Sequence, residues 1–150
     1  PVRVRVVAEQ FAWNAHYPGS DGQFGRTDIK LVSADNPLGL DRSDPAAKDD
    51  FNSINQLALP VNKPVIIHLS SKDVIHSFSL IQMRVKQDTI PGESIPVWFT
   101  PTLVGDWEVN CSQLCGLGHY RMRGFYSIKT QEAYDAWLKE TAASELGAAQ

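Results

Sequence analysis

The sequence predicts an all-β domain, a sandwich or small barrel with one C-terminal helix. Three observations lead there. Short runs of alternating or β-branched apolar residues recur along the chain, and Gly and Pro punctuate them at short intervals. Only after Thr130 do apolar residues fall into helical spacing. The length agrees, because 150 residues correspond to one domain on the usual scale of about 100–200 residues. We therefore expect a single domain over residues 1–150. A chain of this size buries about 68–70% of its unfolded surface, enough for a true core.

The elements follow in order. Val2 to Ala8 alternates apolar with charged residues, the period of a half-buried strand. Glu9 to Tyr17 continues it with aromatic and His side chains up to the break at Pro18-Gly19. Ile29 to Val32 is a short strand candidate. From 33 to 55 the chain is rich in Asp, Asn, Pro and Gly, which reads as a long surface insertion with a helical turn at Pro45 to Lys48. Strands resume at Gln56 to Leu59 and at the β-branched run Pro64 to Leu69. Ser71-Lys72-Asp73 makes a turn, and Val74 to Leu80 forms the next strand, which Met83 to Lys86 extends. Ser94 to Thr100 carries Pro96 near its start, so it belongs at a sheet edge. Gly105 to Asn110 alternates and runs into Cys111, and Gly124 to Lys129 is the last strand. Ala133, Tyr134, Ala136, Trp137 and Leu138 give the helix an apolar stripe, followed by a tail that frays from Ser144. No internal repeat is visible. Trp98, Phe99 and Trp107 are expected under the sheet, and Tyr134 and Trp137 against it.

Charge and composition exclude several classes. With 14 Lys and Arg against 17 Asp and Glu, the chain carries a net charge of −3, contrary to the basic face of a nucleic-acid binder. No apolar run is long enough to span a bilayer. The chain starts at Pro1 without a signal peptide, so we read it as a processed or truncated piece. Two cysteines are too few for a disulfide scaffold, yet Cys111 and Cys115 lie four apart.

Those cysteines open the segment Cys111-Ser-Gln-Leu-Cys115-Gly-Leu-Gly-His119-Tyr-Arg-Met122, with the pattern C-x3-C-x3-H-x2-M. With four His and two Met in the chain, chance places both at these offsets with odds on the order of 10⁻⁴. Two thiolates, an imidazole and a thioether are a soft donor set that suits copper, zinc or iron–sulfur chemistry. The thioether is foreign to structural zinc sites and points to copper used for electron transfer. Gly116 and Gly118 let the loop curl. A single-copper site would take a second His from elsewhere. His76, near a strand start after a turn, fits better than His68 inside an apolar strand or His16 beside Tyr17-Pro18-Gly19. Cys111 is surplus to a single copper. Two bridging thiolates would instead hold two coppers, each with one His and one weak axial ligand.

With Val74 to Phe78 upstream and Val85 to Gly92 between, this loop closely resembles the CuA domain of cytochrome c oxidase subunit II, over residues 4 to 129. The resemblance implies a cupredoxin-like Greek-key β-sandwich holding two copper ions. It implies His76, Cys111, Cys115, His119, Met122 and the backbone oxygen of Gln113 as ligands. It also implies a place at the periplasmic face of a bacterial inner membrane, through an N-terminal anchor not in this sequence. Electrons would come from cytochrome c, or from a fused or attached haem c domain, and pass to haem in subunit I. The domain itself would only transfer electrons within the oxidoreductase. Gln113 stands where the family has a Glu that helps hold magnesium at the subunit interface. A neutral amide is a weaker ligand for a hard cation, so magnesium is not carried over. The family's Trp-Tyr-Trp run, whose first Trp admits electrons, is matched by Phe11-Ala12-Trp13, which leaves Phe11, Trp13 or Leu117 as the entry point. Glu93 stands where relatives often have Arg.

Other readings of the same residues are a disulfide between Cys111 and Cys115 in an exported protein, a stand-alone single-copper cupredoxin, and a copper-delivery protein. Trp13 serves core packing and electron entry equally well. Asp35 to Asp50 reads as a solvated loop, or as an acidic patch that steers a basic cytochrome.

Overall fold

A computed structural model describes residues 2–9, 12–18, 23–27, 30, 38–41, 43–45, 50–73, 76–80, 83–111 and 123–148; for 110, 111, 123 and 145–148 it describes the backbone alone. Among the described residues the order is β1 (Val2–Glu9), β2 (Ala12–Tyr17), β3 (Phe51–Ile54), β4 (Gln56–Pro60), β5 (Val65–Ser71), β6 (His76–Leu80), β7 (Val85–Thr89), β8 (Ile95–Phe99), β9 (Gly105–Cys111), β10 (Arg123–Lys129) and α1 (Gln131–Ala148). The strands build two five-stranded sheets, ordered β3-β2-β1-β5-β8 and β4-β10-β9-β6-β7. Pairs β1/β5 and β4/β10 are parallel, and the remaining pairs are antiparallel. This is the expected sandwich.

Alternation decides which face each strand buries. Val4, Val6 and Ala8 of β1 and Val65, Ile67 and Leu69 of β5 point inward. They meet Phe78 and Leu80 of β6, Val109 of β9, and Tyr126 and Ile128 of β10. A Tyr17 hydroxyl ties the sheets together: it donates to the Ala58 carbonyl at 2.8 Å and accepts from the Ala58 N–H at 2.9 Å. Burial pushes the phenol well above its ordinary pKa, so the shared proton stays in place. Helix α1 starts at the cap Thr130, whose hydroxyl accepts from the Ala133 N–H at 3.3 Å. As expected, the helix packs on the sandwich through Tyr134 and through Trp137, whose ring meets Tyr17 edge-on at 5.2 Å.

Several expectations change. The stretch 33–55 is not wholly a solvated excursion. Residues 51–54 form β3, Leu38 and Leu40 are buried against Val7, and Asp50 is fully buried. His16 is no loop residue. It lies in β2 and is fully buried, with Nε2 2.7 Å from Asp50 Oδ2, which also accepts from the Gly25 N–H at 2.6 Å. Val85 to Thr89 does not prolong β6 but folds back on it as a hairpin, after Arg84 at φ 55°. Of Ile29 to Val32 only Lys30 is described, outside any strand, and the turn at 46–48 lies outside the described residues. The backbone of α1 stays helical through Ser144 to Ala148. Strand β8 is an edge, as Pro96 implies, but Trp98 on it is 74% exposed rather than in the core. His68 points out of the same sheet, cross-strand from Arg5 and Pro96.

Candidate metal centre

Three adjacent strands of the second sheet meet at the candidate site. Strand β9 ends at Cys111, which pairs with Phe78 of β6. Strand β10 begins at Arg123, which pairs with Asn110 of β9. The segment 112–122 therefore leaves and re-enters the sheet on neighbouring strands, at the end where β6 starts with His76. Gln113, Cys115, Leu117, His119 and Met122 lie in that segment, outside the described residues, and so does Phe11. Cys111 is described in its backbone alone, which makes His76 the candidate ligand whose side chain is defined. Among the described residues no three His, Cys, Asp or Glu side chains converge.

His76 is fully buried. Its Nε2 lies 2.9 Å from Asp73 Oδ1, and an ionised carboxylate only accepts, so Nε2 carries the proton. Nδ1 is then the lone-pair nitrogen, and it is buried with no hydrogen-bond partner among the described residues. A buried polar atom without a partner costs about 1–3 kcal/mol, a cost that a coordinated metal would remove. The peptide is held as well, since Thr89 Oγ1 donates to the His76 carbonyl at 3.1 Å. The residues present thus fit a soft metal: a dry imidazole nitrogen stands beside the attachment points of a Cys/Cys/His/Met loop.

Trp13 shields one side of that imidazole. Its ring is edge-on to His76 at 6.2 Å and to Phe78 at 5.5 Å. The side chain is only 4% exposed. Asn55, at φ 60°, clasps its backbone, accepting from the Trp13 N–H at 2.8 Å and donating to the Trp13 carbonyl at 2.7 Å. Gly124 keeps the ring close, because a Cβ there would stand 3.2 Å from Trp13 Cδ1. Ile54 and Phe125, both about half exposed, flank Asn55. Sequence reasoning named His76 and Trp13 but passed over Asp73, Thr89 and Asn55. The D-x-x-H spacing before His76 was the one local signal available for Asp73.

Comparison with known proteins gives the family. Residues 2–126 match the family model described as cytochrome c oxidase subunit II, periplasmic domain. An alternative cytochrome c oxidase subunit 2 of Bradyrhizobium diazoefficiens is 38% identical over 138 residues, 91% of this chain and 50% of the relative. A cytochrome c oxidase subunit 2 of Cereibacter sphaeroides is 30% identical over 151 aligned positions, 93% of this chain and 49% of the relative. These relatives are subunits of an oxidoreductase, and the chain spans about half the length of each. The crystal structure of the periplasmic domain of subunit II of cytochrome oxidase (CoxB) of Bradyrhizobium japonicum superposes with a TM-score of 0.70 at 25% identity. It covers 95% of this chain and 94% of that one, and it confirms the cupredoxin-like sandwich. No helix among the described residues is long and apolar enough to cross a membrane. The chain belongs to the family of cytochrome c oxidase subunit II periplasmic domains.

Proposed function

We propose that this domain holds a binuclear copper centre, CuA, and relays single electrons from cytochrome c, or an attached haem c domain, to the haem of oxidase subunit I. The observation that carries the reading is the buried, unpartnered Nδ1 of His76 at the sheet end to which the Cys/Cys/His/Met segment is attached. Family membership supports it. Cys111, Cys115, His119, Met122 and the backbone oxygen of Gln113 complete the ligand set. Cys111 and Cys115 would be the thiolates common to both coppers, and the group so held would supply one-electron transfer at a low reorganisation energy, because two metals would divide the change in charge.

The rest is work done by the chain. His76 presents Nδ1 from a strand, and Trp13, itself packed on Phe78, covers one side of its ring. Trp13 is also the best supported of the three entry residues, because its ring touches that of a ligand. Being buried, it would receive electrons through the apolar rim of Ile54 and Phe125. Phe11 and Leu117 remain entry candidates from the sequence alone. In the longer protein we place the domain at the periplasmic face of the inner membrane, docked on subunit I, without magnesium at Gln113.

Copper content measured with EPR tests the reading. Two coppers per chain and a multiline spectrum from an electron shared between them are expected. One copper with a blue absorption band would replace the proposal with a single-copper cupredoxin. Ready loss of Cu(I) to a chelator, with sluggish reduction by cytochrome c, would indicate a delivery protein.

A further inference from the structure

We propose that Asp73 is a positioning residue for His76: its carboxylate selects the tautomer that leaves Nδ1 free and strengthens that nitrogen as a donor. The inference rests on the copper reading above. The hydrogen bond from Nε2 to Oδ1 is 2.9 Å long, within the range of charge-assisted bonds. Turning the ring by 180° would set a carbon against the carboxylate, so one bond fixes both the proton and the ring orientation. Asp73 is itself braced. Its N–H donates to Ser71 Oγ at 3.3 Å, and that hydroxyl donates to Oδ1 at 3.4 Å. Ser71 closes β5, so the carboxylate is referenced to the first sheet while His76 opens a strand of the second. The ring is thus oriented from one sheet, and its peptide is held by Thr89 from the other.

The chemical consequence follows from charge. A carboxylate accepting the Nε2 proton pushes electron density toward Nδ1, and ligating histidines commonly gain basicity this way. A stronger donor favours the more highly charged, oxidised metal over the reduced one. Asp73 therefore holds the reduction potential down. The Asp73 side chain is 33% exposed, and the imidazole it bonds is wholly buried.

The test uses the 150-residue chain, metal-free and copper-loaded, as wild type, Asp73→Asn and Asp73→Ala. In the metal-free wild type, nitrogen-15 NMR is expected to show His76 protonated at Nε2 and bare at Nδ1. In Asp73→Ala the two tautomers are expected to mix. In the loaded protein, Asp73→Asn should keep the copper count, lose about tenfold in affinity for the oxidised state, and raise the potential by about 59 mV for each tenfold preference lost. A proton on Nδ1 in the metal-free wild type would overturn the proposal. So would an unchanged tautomer and potential in both variants. The tautomer is read without metal, so a wild type that failed to take up two coppers would sink the copper reading and leave the positioning role to stand or fall by itself.

Discussion

At the residue scale, the two sulfur types in the loop have separable effects. On the binuclear copper proposal, Cys111→Ser would remove one of two bridges, and such a centre needs both. The shared-electron EPR pattern should vanish even if some copper stays bound. On the same proposal, Met122→Leu would remove only a weak axial donor. It should leave two coppers per chain and move the potential upward, because the oxidised form loses more than the reduced. Equal collapse of both spectra would mean that the thioether is as structural as the thiolates. His68 gives a prediction away from the metal. Partial burial lowers its pKa below 6.5, with Arg5 and Arg3 adding repulsion. The unfolded chain therefore binds this proton more readily than the folded one. The contribution to stability is complete above about pH 6.5 and declines as the pH falls toward the lower folded value. An NMR titration should place the His68 midpoint below 6.5, and Arg3→Gln should move it back up. A midpoint at or above 6.5 in the wild type would show that the guanidinium groups do not act on it.

At the element scale, legibility tracks how local each cause is. The alternation in β1 and the β-branched run in β5 could be read directly, since each strand has one buried face. Strand β7 could not, because Val-Lys-Gln-Asp-Thr lies on a sheet edge and carries little apolar pattern. Pro96 announced its edge correctly. Nothing in the sequence around Trp98 says that no layer covers that part of the outer face. The candidate metal loop shows itself as a pattern because Cys111, Cys115, His119 and Met122 fall within twelve residues of one another, whereas Asn55 acts on a residue 42 positions away. Its clasp is testable. Asn55→Gly keeps the left-handed backbone but leaves the Trp13 N–H unpaired, at a cost of about 1–3 kcal/mol. Asn55→Ala adds the left-handed penalty of about 1–2 kcal/mol for an L-residue. Urea unfolding should therefore rank wild type above Gly above Ala at constant m-value. A reversal of Gly and Ala would show that φ 60° is not required there.

At the scale of the whole molecule, the sandwich separates the cover of the first sheet from the end that carries the candidate metal ligands. The chain between β2 and β3 reads as acidic and solvated, yet described parts of it lie on the outer face of the first sheet. Leu38 and Leu40 sit on Val7, Arg26 binds Asp41, and the Gly25 N–H and His16 converge on Asp50. Composition hid this, because an Asp looks solvated until its partner, 34 residues away in sequence, is known. The same face is rimmed by Arg5, whose guanidinium stacks on Phe24 while Phe24 meets His16 edge-on. The carboxylate of Asp50 is thus the anchor of this cover, and hydrogen bonds to a charged group are worth about 1.5–3 kcal/mol. Asp50→Asn should weaken the bond to His16 and lower the melting temperature by about 2–4 °C per kcal/mol lost. His76 stands on β6 of the other sheet, so the variant should still bind the same number of coppers with an unaltered EPR spectrum. Metal content and melting curves on one preparation decide the matter. Loss of copper together with stability would mean that the cover and the metal end form one cooperative unit; loss of stability alone would establish that the outer layer supports the sandwich without shaping the site.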